Sequence, residues 1–147
     1  MIKIRQYSQN DKPAIHSLFQ LNTPKYFSLD EEKELDFYLQ NEIEFYFVAE
    51  WEQEIVGSGG INLKETTNTA YLSWDFVNPE KQGKGIGTAL VNHRLQQILK
   101  NKNITTIIVR TSQLVFPFYE KCGFHVIKKE PDYWAKGYDL YEMEYKK

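Results

Sequence analysis

Apolar positions in this chain recur with two different periods, and the points where the period changes divide it into elements. Residues 2–7 alternate, with Ile2 and Ile4 set against Lys3 and Arg5, which predicts a strand. Asn10 or Asp11 followed by Pro13 is a helix-start signal for a helix reaching about Leu21, and a loop through Asn22, Thr23 and Pro24 ends it. Ser28 or Asp30 can cap a second helix. There Glu31 and Glu32 suit the positive N-terminal end, and Leu35, Phe37, Tyr38 and Leu39 supply the apolar side.

Residues 44–51 and 54–63 are rich in aromatic and β-branched types and are separated by Glu52-Gln53, which predicts an antiparallel hairpin. A turn at 66–68 leads into a strand over 69–77. Leu90, Val91, Leu95, Ile98 and Leu99 fall at helical spacing and predict the longest helix over 87–101, with Lys100-Asn101-Lys102-Asn103 as its stop. Residues 104–110 carry three consecutive β-branched side chains at 107–109, the mark of a strand buried on both faces and parallel to its predecessor. A short helix over about 113–121 ends at Gly123, the residue type expected after a helix C-cap, before strands near 124–129 and 138–145. The sum is an α/β fold: a single-domain, mixed and mostly antiparallel sheet of about seven strands, flanked by helices on both faces.

Composition narrows the function classes. At 147 residues, 41% hydrophobic and 26% charged, the chain has the make-up of one soluble globular domain. Eighteen basic and 20 acidic residues give a net charge of −2 with no basic block, which argues against broad binding to nucleic acid or an anionic membrane. No apolar run approaches transmembrane length, the N-terminus lacks the apolar stretch of a signal peptide, and Cys122 alone cannot form an internal disulfide. A cytoplasmic monomer or homodimer is the expectation.

The chemistry concentrates where strand 69–77 meets the longest helix. Three glycines, Gly83, Gly85 and Gly87, stand in that junction. Glycine lets backbone amides approach a ligand closely. A helix start also offers N–H groups without internal partners, so the expected ligand is a phosphate or pyrophosphate. A Walker-type loop needs Ser or Thr after Gly-Lys, and Gly85 follows Lys84 instead. A dinucleotide fingerprint would need a glycine at the position of Thr88.

The segment resembles the cofactor motif of the GNAT superfamily of N-acetyltransferases, Q/R-x-x-G-x-G/A, through Gln82, Gly85 and Gly87. Val77-Asn78-Pro79 matches the Val-x-Pro that precedes it, and Tyr119-Glu120-Lys121-Cys122-Gly123-Phe124 matches the family's second signature. The element order agrees over nearly the whole chain. The resemblance implies acetyl-CoA as acetyl donor, with its pyrophosphate on the backbone N–H groups of Gln82, Gly83, Lys84, Gly85, Ile86 and Gly87 and a contact from Thr88. It implies that Phe76 and Val77 pair with the pantetheine arm as an added strand would. It also implies that Tyr119 lies near the sulfur as general acid. Many members carry asparagine where this chain has Ser112, which can cap the helix but leaves that cofactor contact open.

Asp75 stands in an otherwise apolar and aromatic strand. It is either a carboxylate that takes the amine proton or attracts a cationic acceptor, or an edge or bulge residue bonded to backbone. The family's acceptor cleft draws on the loop between the first two helices and on the last strands. The resemblance therefore places Tyr26, Phe27, Trp134 and Tyr138 around the acceptor, with Trp74 beside them. An aromatic wall with a nearby acid suits a primary amine of a small molecule or peptide. His16, His93 and His125 have no ligand spacing, so no metal is expected, and Cys122 has no sequence-local base to make it a nucleophile. A non-catalytic acyl-CoA-binding sensor or interaction module and a nucleotide-binding domain are the competing functions.

Overall fold

A computed structural model describes residues 1–146. Seven strands, β1 (Ile2–Gln6), β2 (Phe45–Trp51), β3 (Glu54–Lys64), β4 (Thr69–Val77), β5 (Thr106–Thr111), β6 (Phe124–Ala135) and β7 (Tyr138–Tyr145), form one sheet in the order β1-β2-β3-β4-β5-β7-β6. Every neighbouring pair is antiparallel except β4 and β5. Helices α1 (Lys12–Leu21) and α2 (Glu32–Asn41) cover one face of the sheet, and α3 (Ile86–Leu99) and α4 (Phe116–Lys121) the other.

The local causes follow the sequence closely. Glu52 and Gln53 both take positive φ, 52° and 68°, which is the backbone hand of a two-residue hairpin turn and explains the tight β2–β3 connection. Ser28 begins a capping box with Glu31, whose carboxylate accepts the Ser28 N–H at 2.9 Å, and α2 starts behind it. Ile107, Ile108 and Val109 are all buried, as expected for a strand covered on both faces.

Several boundaries differ from the sequence pattern; β5 starts at Thr106, two residues after the expected 104. Residues 113–115 form a turn, so α4 is only the six residues from Phe116, with Pro117 in its first turn. Leu99 is exposed and closes α3 two residues before the expected end. Strand β6 continues six residues past the expected 129, through Pro131 and a left-handed Asp132, because β6 is the sheet's outer edge, where a proline and a bulge break no inner ladder.

One irregularity decides the geometry of the site. Ser58 pairs with Phe76 but Gly60 pairs with Ser73, so Gly59 of β3 faces two residues of β4, Trp74 and Asp75. Trp74 absorbs the extra residue with φ 50°. A one-residue bulge reverses which face each later side chain joins. Ala70 and Leu72 therefore lie in the core under α3, whereas Trp74 and Phe76 pack beneath α1 and α2, and Asp75 is turned to the α3 side.

Candidate active site

Strand β4 pairs with β5 only from Thr69↔Thr106 to Leu72↔Val109. Beyond Leu72 the two strands part, and a cleft of about 990 Å³ opens between them. Among the described residues, its lining includes Tyr26, Phe27, Trp74, Asp75, Phe76, Val77, Gln82, Gly83, Gly85, Ile86, Gly87, Thr88, Ser112, Tyr119, Trp134 and Tyr138. All the expected site residues except Lys84 thus meet in one space. The Lys84 ammonium lies 5.3 Å from the centre of the Trp51 ring, so its backbone alone is available to the turn.

The turn at one end of the cleft is built by backbone conformation. Asn78 follows β4, and its side-chain oxygen accepts the Glu80 N–H at 2.9 Å, capping a 3-10 turn over Pro79–Lys81. Gly83 and Gly85 both take φ 81°, where a side chain would be strained, and neither has an atom within 4 Å of the place a Cβ would occupy. The first backbone bond of α3 runs from the Ala89 N–H to the Gly85 carbonyl at 2.9 Å. The N–H groups of Ile86, Gly87 and Thr88 come before it and have no partner within the helix, at its positive end. Gly87 has a different duty: a Cβ there would stand 3.1 Å from the Phe118 ring, so its absence lets α4 pack against α3.

The floor of the cleft is built by side chains. Arg94 of α3 is 0% exposed and grips Asp75 with both terminal nitrogens, Nη1 to Oδ1 and Nη2 to Oδ2 at 2.7 Å. Its Nε donates to the Leu90 carbonyl at 3.0 Å and Nη1 also to the Gly60 carbonyl at 3.1 Å, so each nitrogen of the buried cation has a partner and four of its five N–H groups are bonded. The Tyr119 hydroxyl of α4 donates to Asp75 Oδ2 at 2.5 Å. Asp75 is therefore bonded to side chains, and at least three of its roughly four acceptor positions are engaged. Burial, and after it the Asp75 charge, pushes the Tyr119 phenol well above its ordinary value, while the Arg94 cation acts in the opposite direction. Burial alone would lower Arg94; the Asp75 carboxylate more than offsets it and keeps the guanidinium charged. Gly59 makes the arrangement possible, because a Cβ there would come within 2.7 Å of both Arg94 Nη1 and Asp75 Oδ1.

The remaining walls are aromatic and cross-braced. Phe27 stacks on Trp74 with ring centres 6.4 Å apart. The Gln82 amide donates to the Tyr26 hydroxyl at 3.1 Å, and the Tyr138 hydroxyl donates to the Pro24 carbonyl at 2.5 Å. These bonds tie the α1–α2 loop to the glycine turn on one side and to the β6–β7 hairpin on the other. Trp134 Nε1 donates to the Thr111 carbonyl at 3.1 Å, and Ser112 Oγ accepts the Leu114 N–H at 3.3 Å, as a cap of the turn that leads to α4. Asn22 donates to the Val77 carbonyl at 3.1 Å.

Pattern reasoning missed Arg94, Asn22 and Glu31 as cleft residues. For Arg94 a signal was present: it lies four residues after Leu90 and three after Val91, inside the apolar stripe of α3, where a cation needs a buried partner. Glu31 is 5% exposed, and burial pushes its carboxyl up to about 7, against the opposing pull of the Ser28 N–H.

Residues 8–147 match the acetyltransferase (GNAT) domain family. The chain belongs to the GNAT acetyltransferases. It is 30% identical over 103 residues to the human protein named Cysteine-rich protein 2-binding protein, a match covering 70% of this chain and 13% of that protein. It is 32% identical over 71 residues to the peptidyl-lysine N-acetyltransferase YjaB of Escherichia coli strain K12, covering 48% of this chain and 46% of that one. The chain thus spans less than half the length of these curated relatives. Among solved structures, the ribosomal-protein-S18-alanine N-acetyltransferase of Escherichia coli superposes with a TM-score of 0.80 at 20% identity, over 99% of this chain and 93% of that one. An aminoglycoside 6'-N-acetyltransferase complexed with coenzyme A gives 0.76 at 19% identity, over 97% and 95% of the two chains. These likenesses establish the GNAT fold. Among the described residues no group of His, Cys, Asp and Glu is arranged to hold a metal, and no helix is long and apolar enough to cross a membrane.

Proposed function

We propose that this GNAT acetyltransferase moves an acetyl group from acetyl-CoA to a primary amine of a small molecule or peptide, by direct attack within the cleft. The observation that carries the proposal is the meeting of two features in one space: the open turn at Gly83 and Gly85 at one end, and the Tyr119 hydroxyl at the floor.

The turn fits coenzyme A. Two linked phosphates need several donors converging on a small volume, and unpaired N–H groups beside glycines with open space around them supply that. The edge of β4 at Phe76 and Val77, where pairing with β5 has ended, suits the amide-bearing arm. Acetyl-CoA supplies an activated acyl group; the chain's residues orient it, exclude water and move protons.

Tyr119 is kept neutral and proton-bearing by its burial, which suits a donor to a departing sulfur. In the resting chain its O–H points to Asp75, so donation requires the hydroxyl to swing from Oδ2 toward the cleft. The nitrogen joins the carbonyl carbon as the C–S bond breaks, the sulfur takes the phenol proton, and the proton shed by the nitrogen restores the phenol. Of the carboxylates lining the cleft, Glu31 is the one raised to about 7, a value suited to passing that proton near neutral pH. Phe27, Trp74 and Tyr26 give the acceptor an aromatic surface next to that acid. An acyl-CoA-binding module without activity is the competing account, favoured by the engaged state of the Tyr119 hydroxyl.

Release of free thiol from acetyl-CoA across a panel of polyamines, aminoglycosides and lysine or N-terminal peptides decides between them. Amine-dependent release that Tyr119→Phe suppresses supports the enzyme. Binding of acetyl-CoA with no release for any amine selects the binding module.

A further inference from the structure

Arg94 has no part in the mechanism as described so far, yet it is the largest fully buried side chain in the molecule and carries a charge. Burying a guanidinium is costly, and an apolar side chain on the same stripe of α3 would fill the space with less penalty. Its four hydrogen bonds converge on two tasks. Nε and part of Nη1 anchor it to the backbone at Leu90 and Gly60, and the remaining bonds grip both oxygens of Asp75. Asp75 then holds the one hydroxyl that the proposed chemistry needs.

We propose that Arg94 is a positioning residue for acetyl transfer: through Asp75 it fixes the Tyr119 phenol and supplies the single positive charge that balances the site while the phenol is without its proton. The inference rests on the acetyltransferase function proposed above. At rest the trio holds one cation, one carboxylate and a neutral phenol. When the phenol proton passes to sulfur, two anions stand 2.5 Å apart against one cation, until the proton shed by the nitrogen returns. Without Arg94 that moment would pair two buried anions with no compensation, which raises the barrier to giving up the proton. Tyr38 of α2, Tyr46 of β2, His93 of α3 and Cys122 after α4 also interact with the trio; the phenols and the thiol are neutral, and burial and the Arg94 charge push His93 below its ordinary value, so none of them replaces the charge.

The geometry also separates Arg94 from a general stabilising role. The pair lies beneath the cleft beside the bulge at Trp74, and it requires both a glycine at position 59 and an extra residue in β4. A fold that only needed packing there would not need those departures from a regular ladder.

The test is a double-mutant cycle on the full chain, with Arg94→Gln and Tyr119→Phe singly and together, read as the turnover rate of thiol release. Arg94→Gln should lower kcat by about tenfold or more, within the roughly 10²–10⁴-fold that the phenol itself supplies. In the Tyr119→Phe background it should cost less than about threefold, because residues that act as a unit are not additive. An equal loss in both backgrounds would assign Arg94 to stability alone and overturn the inference. Arg94→Lys is the second variant: it keeps the charge, loses the two-pronged grip, and should recover part of the rate.

A readout without cofactor accompanies the rates. With tyrosine labelled at the ring Cζ, the carbon resonance missing from Tyr119→Phe identifies Tyr119. It should move in Arg94→Gln and Arg94→Lys while the resonance of Tyr133, exposed on the edge strand β6, stays in place. A Tyr119 signal indifferent to both changes would also overturn the inference. Wild-type protein inert toward every amine, with the resonance shift present, would instead count against the proposed function and leave the coupling of Arg94 to Tyr119 standing.

Discussion

At the glycine turn the polar groups on offer are backbone N–H groups with no partner in the helix they begin. At the cleft floor, side chains separated by 19 to 44 residues of chain are bonded to one another. Arg94, Asp75 and Tyr119 leave no polar side-chain atom unpaired, whereas Gly83 and Gly85 stand with open space around their backbone. The difference teaches how each end can work. A binding turn must present unsatisfied donors, and it does so cheaply where water can solvate them. A buried floor of the kind proposed for proton transfer must be satisfied in advance and changed only at the moment of reaction, since each unpaired polar group there is expensive.

The largest effect expected from this contrast falls on Tyr119. Tyr119→Phe should lower kcat by roughly 10²–10⁴-fold while acetyl-CoA affinity, followed by calorimetry, stays within about twofold, because the change touches only the floor. Next comes Arg94→Met. Removing one partner of a buried ion pair costs about 3–5 kcal/mol, so urea unfolding should show a loss of that order. Combining it with Asp75→Leu should recover most of the stability and none of the activity. If the double variant were as unstable as the single one, the floor would owe its cost to packing and not to charge.

The turn should respond in the opposite manner. Gly85→Ala forces a side chain to φ 81°, a strain of about 1–2 kcal/mol, and should weaken acetyl-CoA binding by roughly tenfold with little change in the chemical step once the cofactor is saturating. Gly87→Ala instead crowds Phe118 and should appear first as a loss of stability.

How legible these regions were in the sequence follows from their range. The turn is local: Gln82, Gly83, Gly85 and Gly87 lie within one short segment, and strand, glycines and helix follow in order, so the turn and the elements on either side of it could be read from spacing. Ser28, one of the two caps the sequence offers for α2, and the two-residue turn at Glu52-Gln53 were legible for the same reason. The floor was not. Asp75 looked like a solitary acid because its partners come from α3 and α4, 19 and 44 residues later. A single extra residue at Trp74 also decides which face Asp75 joins, and alternation alone places it on the opposite side. The start of α4 was misjudged by three residues because Ser112 caps a turn there before the helix proper.

The smallest expected effect belongs to Glu31 at the acceptor side. Its carboxyl is raised from 4.5 to about 7, chiefly by burial, so the folded chain favours the protonated form. That contribution to stability is complete below about 4.5 and is lost as pH rises through about 7. Glu31→Gln should therefore be more stable than wild type at pH 8 by about 1–2 kcal/mol, with the advantage shrinking as the pH falls toward 5, as thermal unfolding across that range would record. The same variant should flatten the rise of activity through neutral pH if Glu31 passes the amine proton.

A crystal structure of the chain with coenzyme A tests the central claim most directly. The account predicts pyrophosphate oxygens within hydrogen-bonding distance of the N–H groups of residues 83–87 and the sulfur beside the Tyr119 hydroxyl, above the Arg94–Asp75 pair. Phosphates bound elsewhere, or a sulfur directed away from that phenol, would contradict it.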